Sequence, residues 1–156
     1  MKTDRFKVTD SLRKLVVVLE GTLINYPNKY LELKKRTLSY SYEALRLCYE
    51  ANCLSDKSER IKTMERALSY VTMLDFALNF SMDKELITKK KYTTFANSLS
   101  DVNKYAMGWI KAIRSEDEKE KSGKANYANI RLKNEANART NQIMNENGEN
   151  KEISSN

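Results

Sequence analysis

The side chains in this sequence with the clearest capacity for chemistry are lysines and arginines in short clusters. Consecutive cations where a helix begins can bind phosphate oxygens, because the free backbone N–H groups of the first turn also favour anions. Exposed cations there oppose the helix macrodipole by about 0.3–1 kcal/mol each, so local helix stability does not explain them. The alternative is a solvated face that only keeps the protein soluble. The candidate nucleic-acid-binding residues are Lys34, Lys35, Arg36, Lys57, Arg60, Lys62, Arg66, Lys89, Lys90 and Lys91.

The composition excludes several kinds of catalytic site. The chain has no histidine and two cysteines, Cys48 and Cys53. Ser–His and Cys–His catalysis are therefore excluded, and a zinc site would need carboxylates that show no ligand spacing. No Gly-rich phosphate loop, nucleophile motif or pair of catalytic carboxylates is present. We predict a protein that is not an enzyme and binds no cofactor or metal, with Cys48 buried as a small hydrophobe and Cys53 at a helix end.

The positive charge is concentrated in one part of the chain. The net charge is +7 and the isoelectric point is near 9.3. Residues 1–114 hold 21 Lys and Arg against 13 Asp and Glu, a net charge of +8, whereas residues 115–156 hold 7 against 8. An anionic partner is favoured by this asymmetry, with RNA or DNA first and an acidic protein second.

Four amphipathic helices are predicted to position these cations, over residues 9–25, 28–53, 56–82 and 88–114. The predicted N-terminal caps are Thr9 or Asp10, Asn28, Ser55 or Asp56, and Thr88. Each helix carries apolar residues at steps of three and four. In order, the stripes are Leu12, Leu15, Val16, Leu19 and Leu23; Leu31, Leu38, Tyr42, Leu45 and Tyr49; Ile61, Met64, Leu68, Val71, Leu74, Leu78 and Met82; and Tyr92, Phe95, Leu99, Val102, Ala106, Trp109 and Ile113.

Short connections between such helices force antiparallel neighbours. The predicted fold is therefore an all-α, up-down-up-down four-helix bundle over residues 9–114. In this topology the second and fourth helices begin at the same end, so their six cations could form one basic rim. The third helix begins at the opposite end. The apolar residues Val17, Val18 and Tyr40 are expected on the surface, where they suit a dimer as well as a ring.

The two termini are predicted to lie outside the bundle. Residues 1–8 form a polar arm, and residues 115–156 form a tail rich in Asn, Glu and Lys that is expected to be largely disordered, because it cannot bury enough apolar surface. A transient partner-binding helix over residues 126–144 is the alternative for this tail. The sequence shows no signal peptide, and its longest apolar run, residues 15–19, cannot cross a bilayer, so we expect a cytoplasmic protein without membrane contact.

Three stretches resemble a known family. LITKKKY and YAMGWIKAI, at 86–92 and 105–113, look like its last helix, and NKYLELKKRTLSYSYEALRLCYEAN, at 28–52, is similar to its second helix. The family comprises bacterial four-helix-bundle proteins typified by Avd, the accessory variability determinant of diversity-generating retroelements. Its wider membership includes proteins encoded within 23S rRNA intervening sequences. The resemblance covers roughly residues 26–114 and contains no catalytic signature.

The resemblance implies a function for the basic surface. An Avd-like protein would be a homo-oligomer, in the family a pentameric barrel, that engages a partner reverse transcriptase and its RNA or cDNA during mutagenic retrohoming. A relative of the intervening-sequence proteins would instead bind ribosomal RNA without a reverse transcriptase. The remaining alternative is a purely structural interaction module whose apolar stripes serve oligomerisation.

Overall fold

The computed structural model describes the backbone of residues 4–153 and the side chains of residues 6–148. It contains four α-helices and one short 3-10 helix, and no strand occurs within these bounds. The all-α prediction is therefore confirmed. The α-helices are α1 (Asp4–Leu23), α2 (Leu31–Cys53), α3 (Lys57–Asp83) and α4 (Lys89–Ile153), and the 3-10 helix is Asn28–Tyr30.

The helices form a closed antiparallel bundle in which α4 contacts both α3 and α1. The α3–α4 contacts show the direction: Tyr92 donates to Asp75 at 3.1 Å near the start of α4, whereas Arg114 pairs with Glu65 at 2.9 Å further along. The predicted up-down-up-down topology is confirmed. The other contacts that define it join Glu20 to Tyr42, Tyr40 to Tyr70 and Lys7 to Tyr105.

Three of the four predicted apolar stripes face the core. Every stripe residue of α1 is buried, and those of α3 and α4 are buried or half-buried. Trp109 is only 8% exposed and belongs to the single large core cluster of buried residues. These helices fold as their sequences predict because the bulky apolar residues recur with the period of the helix.

The predicted stripe of α2 is wrong at three of its five positions, whereas Leu38 and Leu45 are half-buried against the core. Leu31, Tyr42 and Tyr49 are exposed, while the buried face consists mainly of small residues. Two of these small residues carry a hydroxyl group, and each hydroxyl donates a hydrogen bond to a backbone carbonyl of the same helix. Thr37 donates to the Leu33 carbonyl at 2.6 Å, and Ser41 donates to the Leu38 carbonyl at 2.7 Å. The residues buried on α2 are Thr37, Ser41, Ala44, Leu47, Cys48 and Ala51.

Two of the predicted N-terminal caps are wrong, and the other two are confirmed. Helix α1 begins at Asp4, so part of the predicted arm is helical, and Thr9 lies inside the helix, where it donates to the Phe6 carbonyl at 3.1 Å. Residues 1–3 of that arm lie outside the described residues. Asn28 opens the 3-10 helix instead of capping α2. Asp56 caps α3 by accepting from the Glu59 amide at 2.8 Å, and Thr88 caps α4 by accepting from the Lys91 amide at 3.1 Å.

The backbone after Arg114 is helical, whereas the sequence predicts a largely disordered tail. The chain divides into two compact units, Met1–Arg114 and Ser115–Asn156, and the second unit is helical as far as Ile153. No proline interrupts it, and pairs such as Lys121 with Asp117 at 2.6 Å stabilise it locally. From Ser115 to Gly148 every side chain except the half-buried Asp117 is exposed. A helix with no buried face exchanges readily with unfolded forms, so the absence of a packed core in the tail agrees with the prediction.

No described helix combines the length and apolar character needed to span a membrane.

Candidate nucleic-acid interface

The lysines that open α4 form the most strongly uncompensated cation cluster of the predicted set. Lys89 and Lys90 are exposed, and Lys91 is half-buried with its Nζ 5.6 Å from the centroid of the Phe95 ring. The first turn of α4 contains no acidic residue. The positive end of the helix dipole and three ammonium groups therefore lie together with no carboxylate in the same helical turn, and this arrangement favours a bound anion.

A groove between α1 and α4 adds a cation that the sequence analysis missed. Lys14 and Lys91 line this groove together, with Phe95 also on its wall and Asp101 among the other lining residues. Its volume is about 260 Å³. In the sequence Lys14 stands among the apolar residues of α1. Only the packing of α1 against α4 brings it close to Lys91. Lys91 thus connects the α4 lysines to a groove that holds one further cation, Lys14.

The α2 cluster lies at the same end of the bundle but is partly neutralised. Arg36 pairs with Glu32 at 2.8 Å, and both side chains are more than 60% exposed. The Tyr40 hydroxyl and the Glu32 carboxylate raise the pKa of Arg36. Lys35 is exposed and Lys34 is half-buried. An exposed pair of this kind contributes little to stability, but it offsets one of the three charges of the cluster.

The two clusters are diagonal across the bundle, because α4 contacts α1 and α3 while α2 contacts those same two helices. The connection between α3 and α4 lies at the same bundle end, and both signs of charge are exposed there, with Asp83, Lys84 and Glu85. The structure therefore brings the predicted six cations to one end without making them adjacent.

The α3 cluster lies at the opposite end and serves local structure. Arg60 donates through Nε to the Leu54 carbonyl and so holds the connection between α2 and α3. Lys62 pairs with Glu59 at 3.2 Å. Lys57 is half-buried and Arg66 is exposed. Because Arg60 and Lys62 are engaged in these local contacts, this end is a weaker candidate for phosphate binding.

A second groove, between α1 and α2, has a different character. Val17 and Val18 are 71% and 48% exposed, and with Tyr42 they line an open groove of about 600 Å³. Tyr42 donates to Glu20 across it, and this bond raises the pKa of the Tyr42 hydroxyl. Contiguous exposed apolar residues of this kind suit a protein partner better than a phosphate. Tyr40 differs from the expectation, because it is half-buried against Tyr70 with ring centroids 6.4 Å apart.

The two cysteines have contrasting environments. Burial raises the pKa of the Cys48 thiol to about 12, whereas Cys53 is exposed at the end of α2. Among the described residues, no three Cys, Asp or Glu side chains come close enough together to hold a metal ion.

We expect one fast-reacting thiol per native chain. At pH 8 Cys48 is protonated and shielded, and only thiolates attack disulfide reagents, so Cys53 alone should react with Ellman's reagent. Full denaturation should release the second thiol. The Cys53→Ser variant should show no fast phase, and a fast phase in that variant would show that Cys48 is accessible.

The comparisons with known proteins concern the fold. No protein-family model and no curated protein matches the sequence. The fold is similar to the crystal structure of a protein of unknown function from the S23 ribosomal protein family of Bacteroides thetaiotaomicron, with a TM-score of 0.65 and 19% sequence identity. The similarity covers 70% of this chain and 99% of the other. The four-helix bundle of this chain therefore shares its fold with that protein.

Proposed function

We propose that this chain is a non-catalytic RNA-binding protein whose bundle neutralises the phosphate backbone through Lys89, Lys90 and Lys91. The observation that carries this proposal is the lysine triplet at the start of α4, which faces no carboxylate in its first helical turn. Lys14, across the α1–α4 groove from Lys91, extends the same surface. Binding of this kind positions a nucleic acid without reading its sequence.

The fold similarity supports RNA as the nucleic acid. The similar crystal structure comes from a family named for a ribosomal protein, although that protein's own function is unknown. The sequence resemblance to proteins encoded within 23S rRNA intervening sequences points the same way. Ribosomal RNA is therefore the first substrate class to test, with Lys34, Lys35 and Arg36 as further contacts at the same bundle end.

A finer form of the proposal adds a protein partner. In that form the chain is an accessory protein of a diversity-generating retroelement, which self-associates as a homo-oligomer and binds a reverse transcriptase together with its RNA or cDNA. The exposed Val17 and Val18 of α1 favour it, because they offer apolar surface to a protein partner beside the grooves that Lys14 lines. A reverse-transcriptase gene next to this one would support this form, and a position inside an rRNA operon would support the other.

The proposal is tested by measuring RNA binding by the purified protein as a function of salt, with its mass determined in the same buffers. We expect log affinity to fall linearly with log salt, since phosphate contacts release bound counterions. Absence of binding to ribosomal RNA fragments at low salt would contradict the proposal. It would leave an oligomeric interaction module whose positive charge is a solvated face.

A further inference from the structure

Helix α3 has a second apolar face on the side opposite the core. Met73, Phe76 and Phe80 are 41%, 62% and 37% exposed, and they recur at steps of three and four residues. The buried face of the same helix already includes Val71 and Leu74. Because the core needs only one face, the fold does not account for two aromatic rings on the other.

The rings of Phe76 and Phe80 lie next to each other, and the ammonium group of Lys84 lies beyond the Phe80 ring. Their centroids are 6.3 Å apart and their planes differ by 24°, so the rings of Phe76 and Phe80 are nearly parallel. The Nζ atom of Lys84 lies 5.2 Å from the centroid of the Phe80 ring. Phe76, Phe80 and Lys84 thus form a row with a four-residue spacing along α3 and its C-terminal cap, with a charge at one end.

This row approaches the bundle end that carries the α4 lysines. Phe80 is in the last turn of α3, and five residues, from Lys84 to Thr88, connect α3 to α4. Both Lys84 and Lys89 are exposed. Nucleotides combine a flat aromatic base with a phosphate, so they match aromatic faces flanked by ammonium groups. A protein partner matches them less well, because lysine is depleted from the core of protein interfaces.

We propose that Phe76 and Phe80 form a stacking platform for unpaired bases of single-stranded RNA, with Lys84 and Lys89 holding the adjacent phosphates. This inference rests on the proposed RNA binding and specifies its substrate class. Paired bases inside a duplex present no free face to such a platform, whereas bases in loops, bulges and ends do. The protein should therefore prefer single-stranded segments of its RNA.

The test compares two double variants on two probes. Phe76→Leu with Phe80→Leu keeps the exposed apolar area and removes the aromatic faces, while Phe76→Tyr with Phe80→Tyr keeps them. The probes are oligouridine of about 12 nucleotides, within the range of single-strand sites, and an RNA duplex of equal length. The leucine variant should bind oligouridine at least about 5-fold more weakly, the loss of one stacked base. Its salt slope and its duplex affinity should stay unchanged, since its phosphate contacts remain.

A fluorescence measurement reports the contact directly. The Phe76→Trp variant places an indole on the platform, and a stacked base should quench its emission, while the buried Trp109 supplies a constant background. Unquenched emission at saturating oligouridine would overturn the platform, as would equal losses on both probes. A leucine variant with unchanged RNA affinity but an altered mass in solution would identify a protein-docking face instead. Failure of the unmodified protein to bind either probe at low salt would overturn the proposed RNA binding itself.

Discussion

Trp109→Ala is expected to lower the free energy of unfolding of the bundle by about 3–5 kcal/mol. The indole is 8% exposed and belongs to the core cluster shared by all four helices, so its removal leaves a cavity that the surrounding side chains only partly fill. A domain of this size has a total stability of about 5–15 kcal/mol, so the loss is a large fraction. Urea denaturation followed by circular dichroism measures it.

Met107→Ala is the matched control for this prediction. Met107 lies two residues away on α4 and is 52% exposed, so its truncation should change the stability by about 0.5 kcal/mol or less. Equal effects of the two substitutions would show that Trp109 does not occupy the core as described.

Replacing Lys89, Lys90 and Lys91 together with Gln should reduce the slope of log affinity for RNA against log salt by about 2–3, if each lysine neutralises one phosphate. The helical circular dichroism should be unchanged or slightly stronger, because the substitution removes cations that oppose the dipole of α4. Fluorescence anisotropy with a labelled RNA, measured at several salt concentrations, gives the slope. An unchanged slope would remove these lysines from the interface.

The tail offers a control with the same loss of charge. Lys119, Lys121 and Lys124 are exposed on the second unit of the chain, and Gln at all three positions also removes three positive charges. If binding depends on the location of the lysines at the start of α4, this variant should keep the original salt slope. An equal reduction in both variants would mean that total charge, and not the α4 cluster, governs binding.

Bulky apolar residues at helical spacing predicted the core faces of α1, α3 and α4, but the same reasoning failed for α2. Spacing alone placed Leu31, Tyr42 and Tyr49 in the buried stripe with Leu38 and Leu45, because periodicity weighs residues by their hydrophobicity. The buried face instead contains Ala44 and Ala51, whose small size suits close contact with neighbouring helices. Which face of a helix is buried then depends on the space its neighbours leave, and the hydrophobic periodicity of one helix does not report that space.

In the candidate interface, too, contacts between residues close in sequence differ from contacts that the packing of helices and loops creates. The lysines of α4 and their cap follow from residues adjacent in sequence, and the Arg36–Glu32 pair follows from a four-residue spacing. The bond from Arg60 to the Leu54 carbonyl depends on the conformation of a loop. The proximity of Lys14 to Lys91 depends on how α1 and α4 meet. Local chemistry was therefore predictable, whereas the partners brought in by the fold were not.

The small-residue face of α2 constrains how this sequence can diverge. Where the core consists of leucines, such as Leu12 and Leu19 of α1, the substitutions that destabilise the bundle are those that shorten a side chain. At the buried Ala44 and Ala51 the harmful substitutions are expected to be those that lengthen the side chain, because extra methylene groups in a close-packed interior force side chains and backbone out of place. Homologous chains can therefore be expected to conserve small side chains on α2 more strictly than hydrophobic ones. A sequence profile that scores hydrophobicity alone would then align this helix in the wrong register.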